Sequence, residues 1–345
     1  MTSLLAQHLD PTRFEIHLGL ITQDAPGALE IPSWVVTHRL NAARVRSAVF
    51  KILGLIWEIG PRVVLSNMAH LNFLILILQM FFPSETQVLV RQNTTASADS
   101  NWLTGLLYRA LYPTAMGIVC QSEAMASDLH IHFSVPSKQL VVLLNPVSRT
   151  ADGVIPHSVK NDSSLSLLCV ARLSREKGVD LLLRAFAIAW QSFPKISLSI
   201  LGTGPEEAVL LGLVNELSLD SVVTFHGFAD PLRFYCQSTI FVCPSRYEGM
   251  PNALLEAAAA GLPIVATPAS PGVTDLLRGA NGTWVCRETS TTALAATLVE
   301  ALQCLLALPQ MERRFHHEFL APFETERAIH NFQKVLVHVA ATGHL

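Results

Sequence analysis

Short runs of β-branched and other apolar residues alternate with longer stretches of helical periodicity along almost the whole chain. In the first half these runs predict strands over residues 14–21, 63–66, 87–91, 117–121 and 140–145. Such an alternation is typical of parallel sheets covered by helices. We therefore expect an α/β protein.

The second half repeats the alternation, with strands predicted over residues 165–170, 196–201, 222–225, 240–243, 263–267 and 283–286. Between the halves, residues 149–164 are rich in Ser, Asp, Gly, Pro and Asn and have no apolar period, as linkers do. We expect two doubly wound parallel-sheet domains over residues 1–148 and 165–320. The helical segment over residues 321–345 could cap either domain, including the N-terminal one.

Composition narrows the classes of protein that the chain can represent. Half of the 345 residues are hydrophobic and 15% are charged, which excludes a disordered or fibrous protein. The net charge is -3 and no Lys/Arg-rich run is present, so we expect no nucleic-acid partner.

The cysteines and the most apolar stretch of the chain bear on where in the cell the protein is located. Six cysteines lie singly in apolar surroundings with no C-x-x-C pair, so we expect buried free thiols and a cytoplasmic protein. Residues 71–82 are apolar but are interrupted by Asn72 and Gln79 and are shorter than a membrane span. We interpret them as a buried helix.

Two predicted strand ends in the second half carry candidate phosphate-binding residues. Arg172 and Lys177 follow the strand over 165–170 and precede a helix, where backbone N–H groups favour an anion; solvated loop charges are the alternative interpretation. Gly202 and Gly204 follow the next strand, and glycines there permit close approach to a ligand. A lone G-x-G is weak evidence, and a plain turn remains the alternative.

The most informative segment runs from residue 244 to residue 261. Pro251 at one end and Gly261 at the other predict one short helix whose N-terminus offers a second anion site. Glu248 precedes that helix and Glu256 lies within it, so both carboxylates can reach one cavity and accept hydrogen bonds from sugar hydroxyls. Surface charge is the alternative, but the apolar neighbours of Glu256 favour a dedicated partner.

From about residue 165 to residue 277 the chain resembles the family 4 retaining glycosyltransferases, including their two glutamates separated by seven residues. The resemblance implies the GT-B fold, with two Rossmann-like domains facing a cleft. It implies that Arg172 and Lys177 bind the donor diphosphate, that Glu248 lies at the donor sugar and that Glu256 binds the ribose. It extends the donor site to these residues: Gly202, Gly204, Gly249, Met250, Pro251, Asn252 and Leu255.

The implied activity is transfer of a hexose-type sugar from a nucleotide-diphosphate sugar, with retention of configuration and with Glu248, Arg172 and Lys177 as the catalytic groups. The acceptor would be a saccharide or a lipid-linked one, in surface polysaccharide or lipopolysaccharide synthesis. No metal or other cofactor is expected: His130 and His132 lack acidic or Cys neighbours and are interpreted as a surface helix end. Because family members often glycosylate lipid-linked acceptors, peripheral membrane contact at the inner face is compatible with this interpretation.

The first half is similar to the family only in outline. The strand and glycine turn that open the family's N-terminal domain are not seen ahead of the predicted strand over 14–21, so a truncated relative that binds nucleotide without turnover is the alternative function. The acceptor-side candidates are His70, Arg91 and Asn93. Many relatives have a histidine where this chain has the Arg91 to Asn93 segment.

Overall fold

The structure is a computed structural model that describes residues 2–21, 31–147, 165–309 and 312–343. It divides into two compact units. Unit 1 comprises Met1–Pro146 and Thr325–Leu345, and unit 2 comprises Val147–Glu324. The predicted linker over residues 149–164 lies outside the described residues.

Unit 1 is built from strands β1–β6 and helices α1–α6, with one helix from the C-terminal segment. The strands are β1 His17–Leu20, β2 Val36–Arg39, β3 Val63–Ser66, β4 Gln87–Arg91, β5 Gly117–Cys120 and β6 Leu140–Val142. The helices are α1 Thr2–His8, α2 Val49–Ile59, α3 Ala69–Leu78, α4 Ala96–Asp99, α5 Trp102–Leu111, α6 Glu123–Phe133 and, from the chain's end, α13 Thr325–Thr342.

A parallel sheet in the order β3-β4-β5-β6 forms the centre of unit 1, and β1 and β2 form a separate parallel pair. The buried side chains of α2, α3, α5 and α6 make one apolar cluster with the sheet. A second cluster joins Leu5 and Leu9 to Val119, Leu143 and Phe332. Phe332 belongs to α13, so the C-terminal helix is part of the core of unit 1.

Unit 2 contains strands β7–β12 and helices α7–α12. The strands are β7 Leu165–Val170, β8 Ile196–Leu201, β9 Val223–Phe225, β10 Ile240–Cys243, β11 Ile264–Ala266 and β12 Thr283–Val285. The helices are α7 Val179–Ser192, α8 Glu207–Glu216, α9 Leu232–Gln237, α10 Asn252–Ala259, α11 Pro271–Leu277 and α12 Thr291–Ala307.

The sheet of unit 2 has six parallel strands in the order β12-β11-β10-β7-β8-β9. The chain first winds from β7 outward to β9 and then returns to the other side of β7 at β10. In such sheets ligands bind outside the carboxyl ends of the two strands where the winding reverses. The loops after β7 and β10 therefore mark the expected binding crevice of unit 2, which we call the switch point.

Several sequence predictions need correction. Residues 71–82 do not form a fully buried helix, because the side chains of Ile77, Met80 and Phe81 are exposed. The strand β2 has no clear alternation and was not predicted. Four of the six cysteines are buried as expected, but Cys236 is half-buried and Cys304 is exposed. Cys304 lies on α12, beyond the stripe of that helix that packs into the core. In the described part of the chain no helix is long and apolar enough to cross a membrane.

Candidate functional site

The loops that follow β7 and β10 are joined at the switch point. Arg246 holds Asp180 through two hydrogen bonds of 2.7 Å, and its backbone N–H donates to the Glu176 carbonyl at 2.7 Å. Gly178 has φ +64°, and a Cβ added there would overlap the Pro244 carbonyl oxygen. Only glycine therefore allows the two loops to pack at this distance.

The joined loops place a lysine against a buried glutamate. Lys177 Nζ lies 2.6 Å from Glu248 Oε1, and Ser245 Oγ donates to the same oxygen at 2.8 Å. The Glu248 side chain is 9% exposed and that of Lys177 is 26% exposed. The ammonium group has three N–H donors, so the pair fixes Lys177 and leaves two donors for an incoming phosphate.

Arg172 lies at the same strand end but is exposed. Its positive charge affects the pKa of the neighbouring carboxyl group of Glu176. Burial raises that pKa, but the hydrogen bond from Ser174 and the charges of Arg172 and Lys177 have the larger combined effect, so the pKa of Glu176 is lowered. Arg172 and Lys177 thus contribute positive potential to one loop. Arg172 is available to a ligand from the solvent side.

Glu256 has the dedicated partner that its apolar neighbours predicted. The hydroxyl group of Tyr235, on α9, donates to Glu256 Oε2 at 2.9 Å. Burial raises the pKa of Glu256, and this hydrogen bond opposes the effect. Since Tyr235 engages Oε2, the carboxylate is oriented and keeps Oε1 as an acceptor for ligand hydroxyl groups.

The N-terminus of α10 lies on the same loop as Glu248. Its N-cap residue, Pro251, makes no side-chain capping hydrogen bond, in contrast to Ser270 and Ser290 at the starts of α11 and α12. The positive end of the helix dipole at such an N-terminus favours an anion. The other predicted donor-site residues occupy this turn: Gly249 and Met250 are buried before it, Asn252 is exposed at its first position, and Leu255 is fully buried.

Gly202 and Gly204 have a packing role at the end of β8. A Cβ at Gly202 would overlap the Ala171 carbonyl oxygen, and one at Gly204 would overlap that of Leu173. The backbone N–H of Leu173 also donates to the Thr203 carbonyl at 3.0 Å. These glycines allow the turn to lie directly on the loop that carries Arg172 and Lys177.

Arg314 braces the helices that carry Tyr235 and Glu256. Its guanidinium donates to the carbonyl groups of Tyr235, Cys236 and Ser238 at the end of α9 and to that of Ala260 after α10. A cation at helix C-termini satisfies carbonyl groups that have no partner within the helix. Sequence reasoning missed both Arg314 and Tyr235, because no local spacing marks partners that are 79 and 21 residues distant.

The carboxyl edge of the unit 1 sheet carries a different kind of polar cluster, which we call the amide relay. The Arg91 guanidinium donates to Asn145 Oδ1, Asn145 Nδ2 to Gln121 Oε1, Gln121 Nε2 to Asn93 Oδ1, and Asn93 Nδ2 to the Asn67 carbonyl. The relay contains two of the three predicted acceptor-side residues. The third, His70, is exposed in the first turn of α3 and takes no part in these bonds.

Nothing in the described residues resembles a metal centre, since no group of three or more His, Cys, Asp or Glu side chains converges there. His130 and His132 are exposed in the last turn of α6, as predicted.

The fold defines a class of protein: unit 2 is a Rossmann-like domain, and the chain has the GT-B fold of known glycosyltransferases. A sucrose-phosphate synthase from Thermosynechococcus elongatus superposes with a TM-score of 0.78 at 18% identity, over 98% of this chain and 92% of that one. Anabaena HepE, solved with UDP and glucose, gives 0.77 at 15% identity, over 97% and 94%.

Residues 164–304 match the model of the family described as glycosyl transferases group 1. This match supports the family resemblance for this part of unit 2. The resemblance read from Lys177, Glu248 and Glu256 is confirmed.

Curated relatives agree with this assignment. An uncharacterized glycosyltransferase of Haemophilus influenzae is 33% identical over 147 residues, which are 42% of this chain and 40% of the relative. A Campylobacter jejuni N-acetylgalactosaminyltransferase that is named for a diphospho-undecaprenol-linked saccharide is 29% identical over 215 residues, 59% of this chain and 57% of the relative. These alignments span about two to three fifths of the relatives' length.

Proposed function

We propose that the protein is a glycosyltransferase that moves a sugar from a nucleotide-diphosphate donor to a saccharide or lipid-linked acceptor in surface polysaccharide synthesis. The observation that carries the proposal is the contact of Lys177 with Glu248 at the switch point, on the loop that leads into the N-terminus of α10. Relatives named for colanic acid and amylovoran biosynthesis support the polysaccharide context.

In this proposal the donor diphosphate lies against Lys177, Arg172 and the N–H groups of α10. Breakage of the bond between the anomeric carbon and the diphosphate leaves negative charge on the leaving oxygens, and these groups would stabilise that charge without reorganising. Glu256 would accept hydrogen bonds from the ribose through Oε1, while Tyr235 holds Oε2. The Gly249 to Asn252 backbone would face the sugar.

We propose that the anomeric configuration is retained. Ser245 and Lys177 both engage Glu248 Oε1, so this carboxylate is held in an ion pair and is not poised as a nucleophile. Retention would then require the acceptor oxygen to attack from the face that the diphosphate leaves, with the acceptor proton passing to a leaving oxygen. Its role would be to orient Lys177 and the donor sugar. The configuration of the product, read by proton NMR of the anomeric coupling, checks retention directly.

A thermal-unfolding screen against UDP-, GDP- and ADP-sugars would identify the donor, because a ligand that binds the folded state alone raises the unfolding midpoint. With that donor we expect Lys177→Met and Glu256→Gln each to lower kcat/KM at least tenfold, about 1.4 kcal/mol of transition-state stabilisation. Lys195→Met, on the surface before β8, is the matched control and should keep full activity. Full turnover in both site variants would contradict the proposal.

A further inference from the structure

Arg91 is a buried cation with no anionic partner. It lies at the end of β4, its residue is 3% exposed, and among the described residues no Asp or Glu side chain contacts it. Its guanidinium donates to the neutral side chain of Asn145, while Nε is buried without an acceptor. Burial lowers the pKa of Arg91 to about 10, so the group remains charged at neutral pH.

The amide relay solvates this charge without neutralising it. Asn145 accepts from Arg91 through its oxygen, and along the chain from Asn145 through Gln121 to Asn93 each amide nitrogen donates to the oxygen of the next amide. Aligned dipoles of this kind polarise one another and stabilise a cation. The relay ends at Asn93, which is exposed at the carboxyl edge of the sheet, where α/β sheets bind ligands.

A hydroxyl group of an acceptor does not require such an arrangement, because the amides alone supply hydrogen-bond donors and acceptors. A buried charge without a counter-ion is costly, and an anion that reached the guanidinium group would remove part of that cost. The fork of an arginine matches the oxygens of phosphate and carboxylate groups.

We propose that Arg91 and Asn93 bind an oxyanion of the acceptor, a phosphate or a carboxylate, at the carboxyl edge of unit 1. The inference rests on the proposed function and adds the chemical class of the second substrate. The lipid-diphosphate in the name of the Campylobacter jejuni relative is one source of such a group. A sugar phosphate and a uronic acid are others.

The test uses the whole chain, saturated with the nucleoside diphosphate of its donor so that the switch point is occupied. Geranyl diphosphate, glucose 6-phosphate and glucuronate are added at constant ionic strength, with geraniol and glucose as uncharged counterparts. We expect at least one oxyanion probe to raise the unfolding midpoint by about 2 °C or more, and its uncharged counterpart to leave the midpoint unchanged. The probe that responds identifies the source.

The Arg91→Met variant should lose this response and, without a probe, should melt at or above the wild-type midpoint, because it lacks the uncompensated charge. Arg91→Lys keeps the charge without the fork and should retain part of the response; it carries the test if the Met variant does not fold. A wild-type response in Arg91→Met, or no response to any oxyanion probe in the wild type, would overturn the proposal. Nucleoside diphosphate binding, measured in the same variants, reports separately on the proposed function.

Discussion

The two carboxyl edges manage buried polar groups in opposite ways. In unit 2, cations and carboxylates are paired at short range, as in Lys177 with Glu248 and Arg246 with Asp180. In unit 1, the cation Arg91 donates to the neutral amide of Asn145, the first member of the relay, and has no carboxylate in contact among the described residues. An ion pair fixes the positions of both side chains but cancels their charges, whereas a neutral amide binds a cation and leaves its positive charge in place. The comparison indicates a rigid, oriented site at the switch point of unit 2 and a site in unit 1 whose positive charge is not neutralised.

The largest effect is expected from the joint between the loops of the switch point. Gly178→Ala must adopt φ +64° and would overlap the Pro244 carbonyl oxygen, so we expect a loss of about 3 to 5 kcal/mol in the free energy of unfolding. Gly60→Ala, in unit 1, has φ +58° but open space around the added Cβ, and should cost about 1 kcal/mol. Urea unfolding of both variants measures the difference. Equal losses would show that the loops are not tightly joined.

A smaller effect is expected from the tyrosine that orients Glu256. Tyr235→Phe leaves that carboxylate without its partner and should cost about 1 kcal/mol of stability and weaken donor binding about threefold to tenfold. Tyr112→Phe removes a comparable buried hydroxyl that donates to Gln92 in unit 1, and should leave donor binding unchanged. Calorimetric titration of the donor into both variants measures this difference in affinity. Unaltered binding in Tyr235→Phe would remove this residue from the donor site.

The smallest effect is a pH dependence. Burial raises the pKa of Glu256 above its ordinary value of 4.5 in the unfolded chain. At pH values between 4.5 and this raised pKa, the folded state therefore binds more protons than the unfolded state. This contribution to stability is complete below pH 4.5 and is lost as the pH rises through the raised pKa. We expect the opposite trend for donor binding, because an ionised carboxylate accepts hydroxyl hydrogen bonds better than a protonated one, so binding should weaken as the pH falls through that window. Glu256→Gln should abolish both trends in calorimetric and unfolding titrations; their persistence would assign them to another group.

Much of unit 2 was predictable because its chemistry is local in sequence. The strands β7, β8 and β10 have the predicted bounds, and Lys177, Glu248 and Glu256 lie on strand-end loops and on the helix that turn residues delimit. The hydrogen-bond partners of the buried polar side chains were not predictable from the sequence. The relay from Arg91 to Asn67 combines the ends of four strands, and only the packed sheet brings them together. The periodicity of apolar residues indicates which face of an element is buried. It does not indicate which distant residue forms hydrogen bonds with a polar group on that face.

We expect the donor diphosphate to bind at the switch point of unit 2 and not at the charged edge of unit 1. The most direct measurement is calorimetric titration of the nucleoside diphosphate into wild type, Lys177→Met and Arg91→Met. We predict at least tenfold weaker binding for Lys177→Met, about 1.4 kcal/mol, and an unchanged dissociation constant for Arg91→Met. Unchanged binding in Lys177→Met, together with a loss in Arg91→Met, would contradict the account.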